Sequence, residues 1–229
     1  MWIIFDLDDT LIDTSGYLTP FRLECALKKM IEAGLSVKNF FLERSYLWSI
    51  NKKTLSSEET IRAYFSLKNI DKKFLTIALQ EIYETPLPES FPLKTLPGAK
   101  KVLKSLREHR LFLVTKGLSQ IQLRKLEKAG IEPAVFCNII VSDSKSKKPF
   151  YQKILYSEGA SPSRVVVVGD RIIQDLLPAK ELGLWTIQMK WGRGLCFEGK
   201  GDYVDFEVSD LAEIKKIVHH LELLTSEVE

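Results

Sequence analysis

The chain is poor in the residues that build cross-linked, fibrous or disordered proteins. Its three cysteines, Cys25, Cys137 and Cys196, lie far apart and form no Cys-x-x-Cys pair, so neither a disulfide framework nor a zinc site is predicted. Twelve glycines and nine prolines in 229 residues are too few for a fibrous or low-complexity chain. With 45% hydrophobic and 28% charged residues, the composition is that of a globular protein large enough to bury a core.

Long apolar runs and a strong charge of one sign are also missing. No uncharged apolar segment approaches the ~20 residues of a membrane span, and the apolar start of the chain meets an acid at Asp6, too early for a signal peptide. The 33 basic and 30 acidic side chains leave a net charge of +3, well below that of a typical nucleic-acid-binding protein. We therefore expect a cytoplasmic protein without a membrane or nucleic-acid partner. Its oligomeric state stays open.

Short, β-branched-rich apolar runs recur along the chain and predict parallel strands that are buried on both faces. They comprise residues 2–5, 111–114, 138–141, 165–168 and 184–187. Helical patterns lie between the later runs, and Gly130, Gly159 and Gly183 stand where helices are expected to end. This alternation predicts an α/β fold, a doubly wound, Rossmann-like core in which helices cover both faces of a parallel sheet.

Residues 15–91 interrupt this alternation. They contain no good strand pattern and four helical segments, the third opened by Ser56 with Glu59 in the spacing of a capping box. Four prolines lie close together after the fourth helical segment, at positions 86, 88, 92 and 97. We therefore predict two domains: an α/β core of residues 1–14 and 92–229, and an inserted α-helical cap of residues 15–91 joined to it by two linkers.

Carboxylates follow two of the predicted strands. Asp6 and Asp8 come directly after the first strand, Asp170 follows the fourth, and Asp175 lies five residues further on. These acids should lie close together, because ligand sites of open parallel sheets form beyond the carboxyl ends of the strands. Clustered carboxylates require a cation, and oxygen ligands suit a hard divalent ion, best Mg²⁺. The sequence thus predicts a Mg²⁺ site.

Groups that can bind a phosphate follow two more of the five predicted strands. Thr115, Lys116 and Gly117 come after the second strand, and Lys148 follows the third. Lys147 stands beside Lys148 and could take the same place. A hydroxyl, backbone amides and an ammonium group are donors for phosphoryl oxygens. Together with one carboxylate that attacks phosphorus and another that manages a proton, they would form a phosphoryl-transfer site.

In this order, the motifs resemble those of the haloacid dehalogenase (HAD) superfamily. They are Asp6-Leu7-Asp8-Asp9-Thr10, Thr115, Lys148 before Pro149, and Gly169-Asp170 with Asp175. The resemblance covers nearly the whole chain and is to the phosphatase branch, similar to phosphoglycolate phosphatases, in which a helical cap is inserted after the first motif. The order, spacing and context of four motifs make this a specific signal, whereas any one of them alone is weak.

The resemblance implies a role for each motif residue. Asp6 would be the nucleophile, forming an aspartyl-phosphate, and also a Mg²⁺ ligand. Asp8 would be the general acid and then the base, and its backbone carbonyl would bind the metal. Asp170 would be a metal ligand, and Asp175 a ligand or a support for one.

The remaining roles concern the phosphate. Thr115 would bind the transferring phosphoryl group, and Lys148 would bind phosphate and hold Asp6. Dehalogenases of this superfamily lack an acid at the position of Asp8, so phosphate transfer is favoured. Lys116 stands where phosphatases often carry Asn, which leads to the hypothesis that it binds a second anionic group of the substrate.

The prediction is therefore a Mg²⁺-dependent phosphatase of a small phosphorylated metabolite. Two alternatives stay open: a phosphosugar mutase of the same superfamily, and a weakly catalytic HAD-like domain that binds a partner protein. The leaving group is open among sugar phosphate, phosphoglycolate and nucleotide.

Overall fold

The computed structural model describes residues 1–142, 144, 146–195 and 201–226. The chain forms two compact units: a core unit of Met1–Asp13 and Pro92–Glu229, and an insertion of Thr14–Phe91. The predicted division after residue 14 lies one residue from the first of these boundaries. That the insertion serves as a cap stays a prediction. Cys196 lies outside the described residues.

The insertion consists of helices throughout. A short π-helix, Thr14–Leu18, leads into α1 (Thr19–Glu32), which is followed by α2 (Phe40–Asn51), α3 (Ser57–Lys68) and α4 (Lys73–Tyr83). Ser56 caps α3 as predicted, since its Oγ accepts a hydrogen bond from Glu59 N at 3.0 Å. The Glu59 carboxylate accepts from Leu55 N at 2.8 Å, one residue before the cap residue, so the second bond of the predicted capping box is shifted by one position. Apolar side chains from all four helices, among them Leu27, Leu47, Ile61 and Phe74, form a core of the insertion's own.

A buried arginine ties the first helix of the insertion to the end of the last. Arg22 is 5% exposed and donates to the carbonyl of Glu81 at 3.2 Å and to that of Thr85 at 2.5 Å. These carbonyls lie near the C-terminal end of α4, where helical carbonyl groups lack partners within the helix. Arg22 therefore supplies the donors that this helix end requires.

A six-stranded parallel sheet forms the centre of the core unit. Its strands are β1 (Trp2–Phe5), β2 (Arg110–Lys116), β3 (Asn138–Ser142), β4 (Val165–Gly169), β5 (Trp185–Met189) and β6 (Phe206–Val208). They lie in the order β3-β2-β1-β4-β5-β6, each parallel to its neighbour. This order confirms the predicted doubly wound, Rossmann-like fold. The five predicted strands are present, and β6 is an edge strand that the sequence did not predict.

The core unit's helices are α5 (Ala99–Ser105), α6 (Ser119–Ala129), α7 (Lys148–Glu158), α8 (Leu177–Lys180) and α9 (Ala212–Ser226). On one face of the sheet, Ile4, Val114 and Val167 pack with Tyr151 and Ile154 of α7. In β1, β2 and β4, consecutive residues are buried, and burial on both faces explains the apolar runs in these strands. Among the described residues, no helix combines the length and the apolarity that crossing a bilayer requires.

The two chain segments that flank the insertion are hydrogen-bonded to each other. Asp13 N donates to Lys94 O at 3.0 Å, and Leu96 N donates to Leu11 O at 2.9 Å. Ile12 and Thr95 thereby form an antiparallel bridge. The chain therefore leaves the core unit and returns to it at neighbouring points.

Candidate active site

The carboxyl end of β1 carries the first site residue. Asp6 follows Phe5 directly, its backbone N–H donates to Val168 O of β4 at 2.9 Å, and the residue is 8% exposed. Asp6 Oδ1 accepts a hydrogen bond from Lys147 Nζ at 2.5 Å. The same ammonium group lies 2.6 Å from Asp175 Oδ1. Lys147 therefore bridges two buried carboxylates that come from different strand ends.

The prediction that Lys148 is the lysine beside Asp6 is wrong. Lys148 Nζ lies 2.7 Å from Glu181 Oε2 in an exposed ion pair, whereas Lys147 is 5% exposed and faces the acids. The reason is local: α7 begins at Lys148, and successive side chains of a helix diverge by about 100°. Of two adjacent lysines at a helix start, only one can point back towards the sheet. The site lysine is the alternative that the sequence left open, Lys147.

The end of β4 brings in two further acids. Asp170 and Asp175 are each 2% exposed, and carboxylate oxygens of Asp6, Asp170 and Asp175 all lie within 4.8 Å of one another. Asp175 Oδ2 accepts a hydrogen bond from Arg171 N at 3.0 Å. A Cβ at Gly169 would stand 2.6 Å from the Asp175 Cβ, so the close approach of this acid to the strand end requires glycine.

Burial and mutual repulsion shift the ionisation of these acids. The pKa of Asp6 is raised to about 7, mainly because burial disfavours the charged form; Lys147 opposes this shift, and Asp175 and Asp8 add to it. The pKa of Asp170 is raised well above its ordinary value by burial and then by Asp175 and the other nearby acids. The protein's own cations thus compensate the negative charge of the cluster only in part.

Such a cluster fits a hard divalent cation. The three carboxylates of Asp6, Asp170 and Asp175 offer oxygen donors close enough to share one ion, and Mg²⁺ is bound through oxygen ligands of this kind. The raised pKa values of Asp6 and Asp170 show that additional positive charge would be favourable here. The residues present therefore fit the predicted metal. The Asp8 side chain, which the sequence predicted to lie close to these acids, contacts Gln122 and Lys125 instead.

Asp8 is held by two residues of α6. Lys125 Nζ lies 2.8 Å from Asp8 Oδ1 and 2.9 Å from Oδ2, and Gln122 Nε2 donates to Asp8 Oδ2 at 3.0 Å. The Asp8 side chain is 29% exposed, whereas that of Lys125 is 11% exposed. The Asp8 carboxylate is thus held by side chains of α6 and stays accessible to solvent.

The loop after β2 brings the predicted phosphate-binding residues to the same edge. Thr115 is 1% exposed, and its Oγ1 accepts a hydrogen bond from Gln122 Nε2 at 2.7 Å. Gly117 has a φ of 144°, and its N–H donates to Ser142 O of β3 at 2.9 Å. Lys116 is exposed, and its carbonyl accepts a hydrogen bond from Gln122 Nε2 at 2.8 Å.

The end of β5 and the loop after it pack against the fourth motif. Gln188 Nε2 donates to the backbone oxygen of Asp170 at 3.2 Å. A Cβ at Gly194 would lie 2.6 Å from Met189 O and 3.0 Å from Asp170 O. The loop around Gly194 therefore supports the backbone that carries Asp170.

Sequence reasoning missed Gln122 and Lys125, although a signal for them exists. The buried residues of α6 are Gln122, Lys125, Leu126 and Ala129, which is the i, i+3, i+4, i+7 spacing of a core-facing helical stripe. Two polar residues within such a stripe, in the helix that follows Thr115, indicate that this end of the stripe faces a polar site rather than the core.

The chain is similar to known proteins over most of its length. The glyceraldehyde 3-phosphate phosphatase of Methanocaldococcus jannaschii is 31% identical over 230 residues, covering 96% of this chain and 97% of the relative. The pyrimidine 5'-nucleotidase PynA of Streptococcus pneumoniae is 25% identical over 197 residues, covering 81% and 82%. Among solved structures, the magnesium-bound HAD-hydrolase YfnB of Bacillus subtilis has the same fold, with a TM-score of 0.66, 20% identity and coverage of 95% and 97%.

The profile of the haloacid dehalogenase-like hydrolases matches residues 1–183. This range includes all four motifs and every acid of the cluster. The resemblance that the motifs suggested is thereby confirmed, and the chain belongs to the haloacid dehalogenase-like hydrolase family.

Proposed function

We propose that this protein is a Mg²⁺-dependent phosphatase that hydrolyses small phosphomonoesters through an aspartyl-phosphate on Asp6. The observation that carries the proposal is the meeting of Asp6, Asp170 and Asp175 within 4.8 Å, with the Lys147 ammonium 2.5 Å from Asp6. The buried carboxylates are ligands that suit a hard metal ion. The buried ammonium group supplies positive charge for an incoming phosphate dianion. The names of full-length relatives, phosphatase and nucleotidase, support the same chemistry.

In the first half of the reaction, an Asp6 carboxylate oxygen attacks the phosphorus atom. An O–P bond forms to Asp6 while the bond between phosphorus and the ester oxygen breaks, and the departing alkoxide takes a proton from the Asp8 carboxyl group. The products of this half are a free alcohol, an aspartyl-phosphate and an ionised Asp8.

In the second half, water attacks the phosphorus atom of the aspartyl-phosphate. The Asp8 carboxylate takes a proton from this water, a new O–P bond forms, and the bond between phosphorus and Asp6 breaks. Inorganic phosphate leaves, and both acids return to their starting states. The sum is one phosphomonoester and one water converted to one alcohol and one phosphate.

The roles of the other residues follow from their positions. Asp6, Asp170, Asp175 and the backbone carbonyl of Asp8 would hold Mg²⁺. When bound, the ion supplies positive charge that offsets the repulsion between the phosphate dianion and the acids. Lys147 contributes a second positive charge and fixes the Asp6 oxygen it contacts.

The phosphate-binding roles lie on the loop after β2. Thr115 Oγ donates its proton to a phosphoryl oxygen. Gly117, whose N–H donates to Ser142 O, leaves the loop without a side chain where a phosphate would approach. Lys116, whose side chain is exposed beside them, binds a second anionic or polar part of the substrate. We propose that the insertion acts as the cap that selects the leaving group, since it begins at Thr14, six residues after Asp8.

The substrate class that we propose is a short phosphorylated aldehyde or sugar. The relative with 96% coverage of this chain is named for glyceraldehyde 3-phosphate, whereas the relative named for pyrimidine nucleotides is 25% identical. A short substrate also suits a cap that excludes bulk water while the aspartyl-phosphate exists.

The test is phosphate release from a panel of phosphomonoesters that includes triose phosphates and pyrimidine nucleotides, with Mg²⁺ and with a chelator. We expect metal-dependent release, a loss of at least about 1,000-fold in Asp6→Asn and a severe loss in Asp8→Asn. Asp202→Asn, an exposed acid in the same unit, serves as the matched control and retains full activity.

Three outcomes would contradict the proposal. Near-normal rates in Asp6→Asn would falsify the nucleophile assignment. Isomerisation of a sugar phosphate that needs a bisphosphate activator and releases little phosphate identifies a mutase. Tight Mg²⁺ binding with no phosphate release from any ester identifies a binding domain.

A further inference from the structure

One amide group connects two parts of the site. Gln122 Nε2 lies 3.0 Å from Asp8 Oδ2, 2.7 Å from Thr115 Oγ1 and 2.8 Å from the Lys116 carbonyl oxygen. Gln122 is 2% exposed, so no bulk solvent competes for these contacts. The proposed general acid and the proposed phosphate-binding hydroxyl thus share one donor.

The chemistry of this amide determines how Thr115 is used. An amide nitrogen donates and does not accept, so the Thr115 oxygen is the acceptor in their contact. Its own hydroxyl proton is therefore not used in this bond and can be donated to a ligand oxygen. Gln122 orients the hydroxyl as well as holding it.

Lys125 adds a second, charged contact to Asp8. Its Nζ lies within 2.9 Å of both carboxylate oxygens, and residues three apart on a helix share a face, so α6 presents the amide of Gln122 and the ammonium of Lys125 together. Because this cation contacts both oxygens of the Asp8 carboxylate, it fixes the carboxylate in one orientation.

The backbone between Thr115 and Gln122 is shaped for this contact. At Gly117, φ is 144°, and a Cβ would come 3.4 Å from two carbons of the Gln122 side chain. The turn from β2 into α6 therefore packs directly on Gln122. This places the side chain by rigid elements on both sides rather than by a free loop.

We infer that Gln122 and Lys125 are positioning residues of the active site, which hold the Asp8 carboxylate and the Thr115 hydroxyl in a fixed relation to each other. They act through Asp8 and Thr115 and do not touch the reacting atoms. The inference rests on the proposed function, because it assigns them to the proton transfer at the leaving group.

The experiment compares two phosphomonoesters that differ in their need for Asp8. A nitrophenyl ester has a leaving group that departs without a proton, whereas an alkyl ester requires one. The rate of the first half-reaction is measured in single turnover for both esters. For Lys125→Met we expect the rate with the alkyl ester to fall by about 10-fold to 100-fold. The fall with the nitrophenyl ester should be at least about 10-fold smaller, and KM should stay within about 3-fold of the parent value for both esters.

Further variants separate positioning from folding. Lys125→Arg keeps a cation and should regain most of the alkyl-ester rate, and Gln122→Leu should lower that rate and also weaken inhibition by inorganic phosphate, since Thr115 loses its orienting donor. The matched controls on the same helix are Arg124→Met, whose side chain pairs with Glu127 at the surface, and Gln120→Leu, which is exposed. Both should behave like the parent.

The outcomes are distinct. An active parent in which Lys125→Met slows both esters equally, changes KM alone, or resembles Arg124→Met overturns the inference and leaves the proposed function standing. No rescue by Lys125→Arg also counts against it. A parent that releases no phosphate from any ester overturns the proposed function and this inference with it.

Discussion

The Asp175 side chain occupies the space that a side chain at Gly169 would need. A Cβ at position 169 would lie 2.6 Å from the Asp175 Cβ and 2.8 Å from its Oδ2. We expect Gly169→Ala to displace Asp175, to weaken Mg²⁺ binding by about 10-fold to 100-fold and to lower the free energy of unfolding by about 1–3 kcal/mol. Calorimetric Mg²⁺ titration and thermal melting measure the two effects.

Gly159→Ala is the control for this variant. Gly159 ends α7 with a φ of 58° and has open space where a Cβ would stand, so alanine there costs about 1 kcal/mol of backbone strain without touching the site. It should lose stability and keep its Mg²⁺ affinity. If Gly169→Ala binds Mg²⁺ as tightly as Gly159→Ala does, the account of Gly169 is wrong.

The two adjacent lysines before and at the start of α7 provide a second test. Lys147→Met removes the buried cation 2.5 Å from Asp6, and we expect phosphate release to fall by about 100-fold or more. Lys148→Met removes an exposed ion pair with Glu181, which contributes at most about 1 kcal/mol to stability, and should leave the rate near that of the parent. Steady-state kinetics of both variants decide between them, and a reversed order would restore the original prediction of Lys148.

The raised pKa values of the acid cluster predict how pH affects the metal-free protein. Folded Asp6, with a pKa of about 7, and Asp170, also raised, bind protons in a range where the unfolded acids have already lost them. Because the folded state then binds more protons than the unfolded state, stability falls as pH rises from about 4 to about 7. Lys147, whose pKa is raised above its ordinary value, stays charged throughout this range.

Mg²⁺ reverses this trend, since it binds the ionised acids. We expect it to raise Tm by about 5 °C or more at pH 8, and by less than half as much at pH 5.5. Thermal melting with chelator and with excess Mg²⁺ across this range is the measurement, and Asp170→Asn should abolish the difference. A Mg²⁺ effect of equal size at both pH values would show that these acids are not its ligands.

Arg22 should be the most sensitive polar residue of the insertion. Arg22→Met leaves the partly buried carbonyls of Glu81 and Thr85 without the donor they have now, and we expect a loss of about 1–3 kcal/mol in the free energy of unfolding. Lys29→Met removes the exposed ion pair with Glu32 and should cost less than about 1 kcal/mol. Urea unfolding of the two variants measures this, and equal losses would contradict it.

The sequence predicted the parts of the fold that follow from hydrophobic pattern. Short, mostly apolar runs identify the strands of the sheet, and the acids that follow them are then placed at one edge by topology alone. The edge strand β6 escaped prediction because it is three residues long, Phe206–Val208. No period can be recognised in so short a run.

The parts of the site that were mispredicted depend on side-chain direction. Choosing between Lys147 and Lys148 requires the residue at which α7 begins, and helix boundaries are poorly determined by sequence. Gln122 and Lys125 carry polar side chains that usually lie on exposed helix faces, so only their place in the buried stripe with Leu126 distinguishes them. Spacing along the chain shows which face a residue shares with its neighbours but not what stands opposite that face.

The hydrogen bonds that join Asp13 to Lys94 and Leu96 to Leu11 make the insertion separable from the rest of the protein. Because the chain departs and returns at adjacent points, a short connecting turn could replace 78 residues (Thr14–Phe91) without altering the path of any strand. Every acid of the cluster, Lys147 and α6 would be retained in such a shortened chain. If the insertion is the cap that we propose, exchange of this segment between relatives would change the substrate preference and leave the proposed reaction chemistry the same.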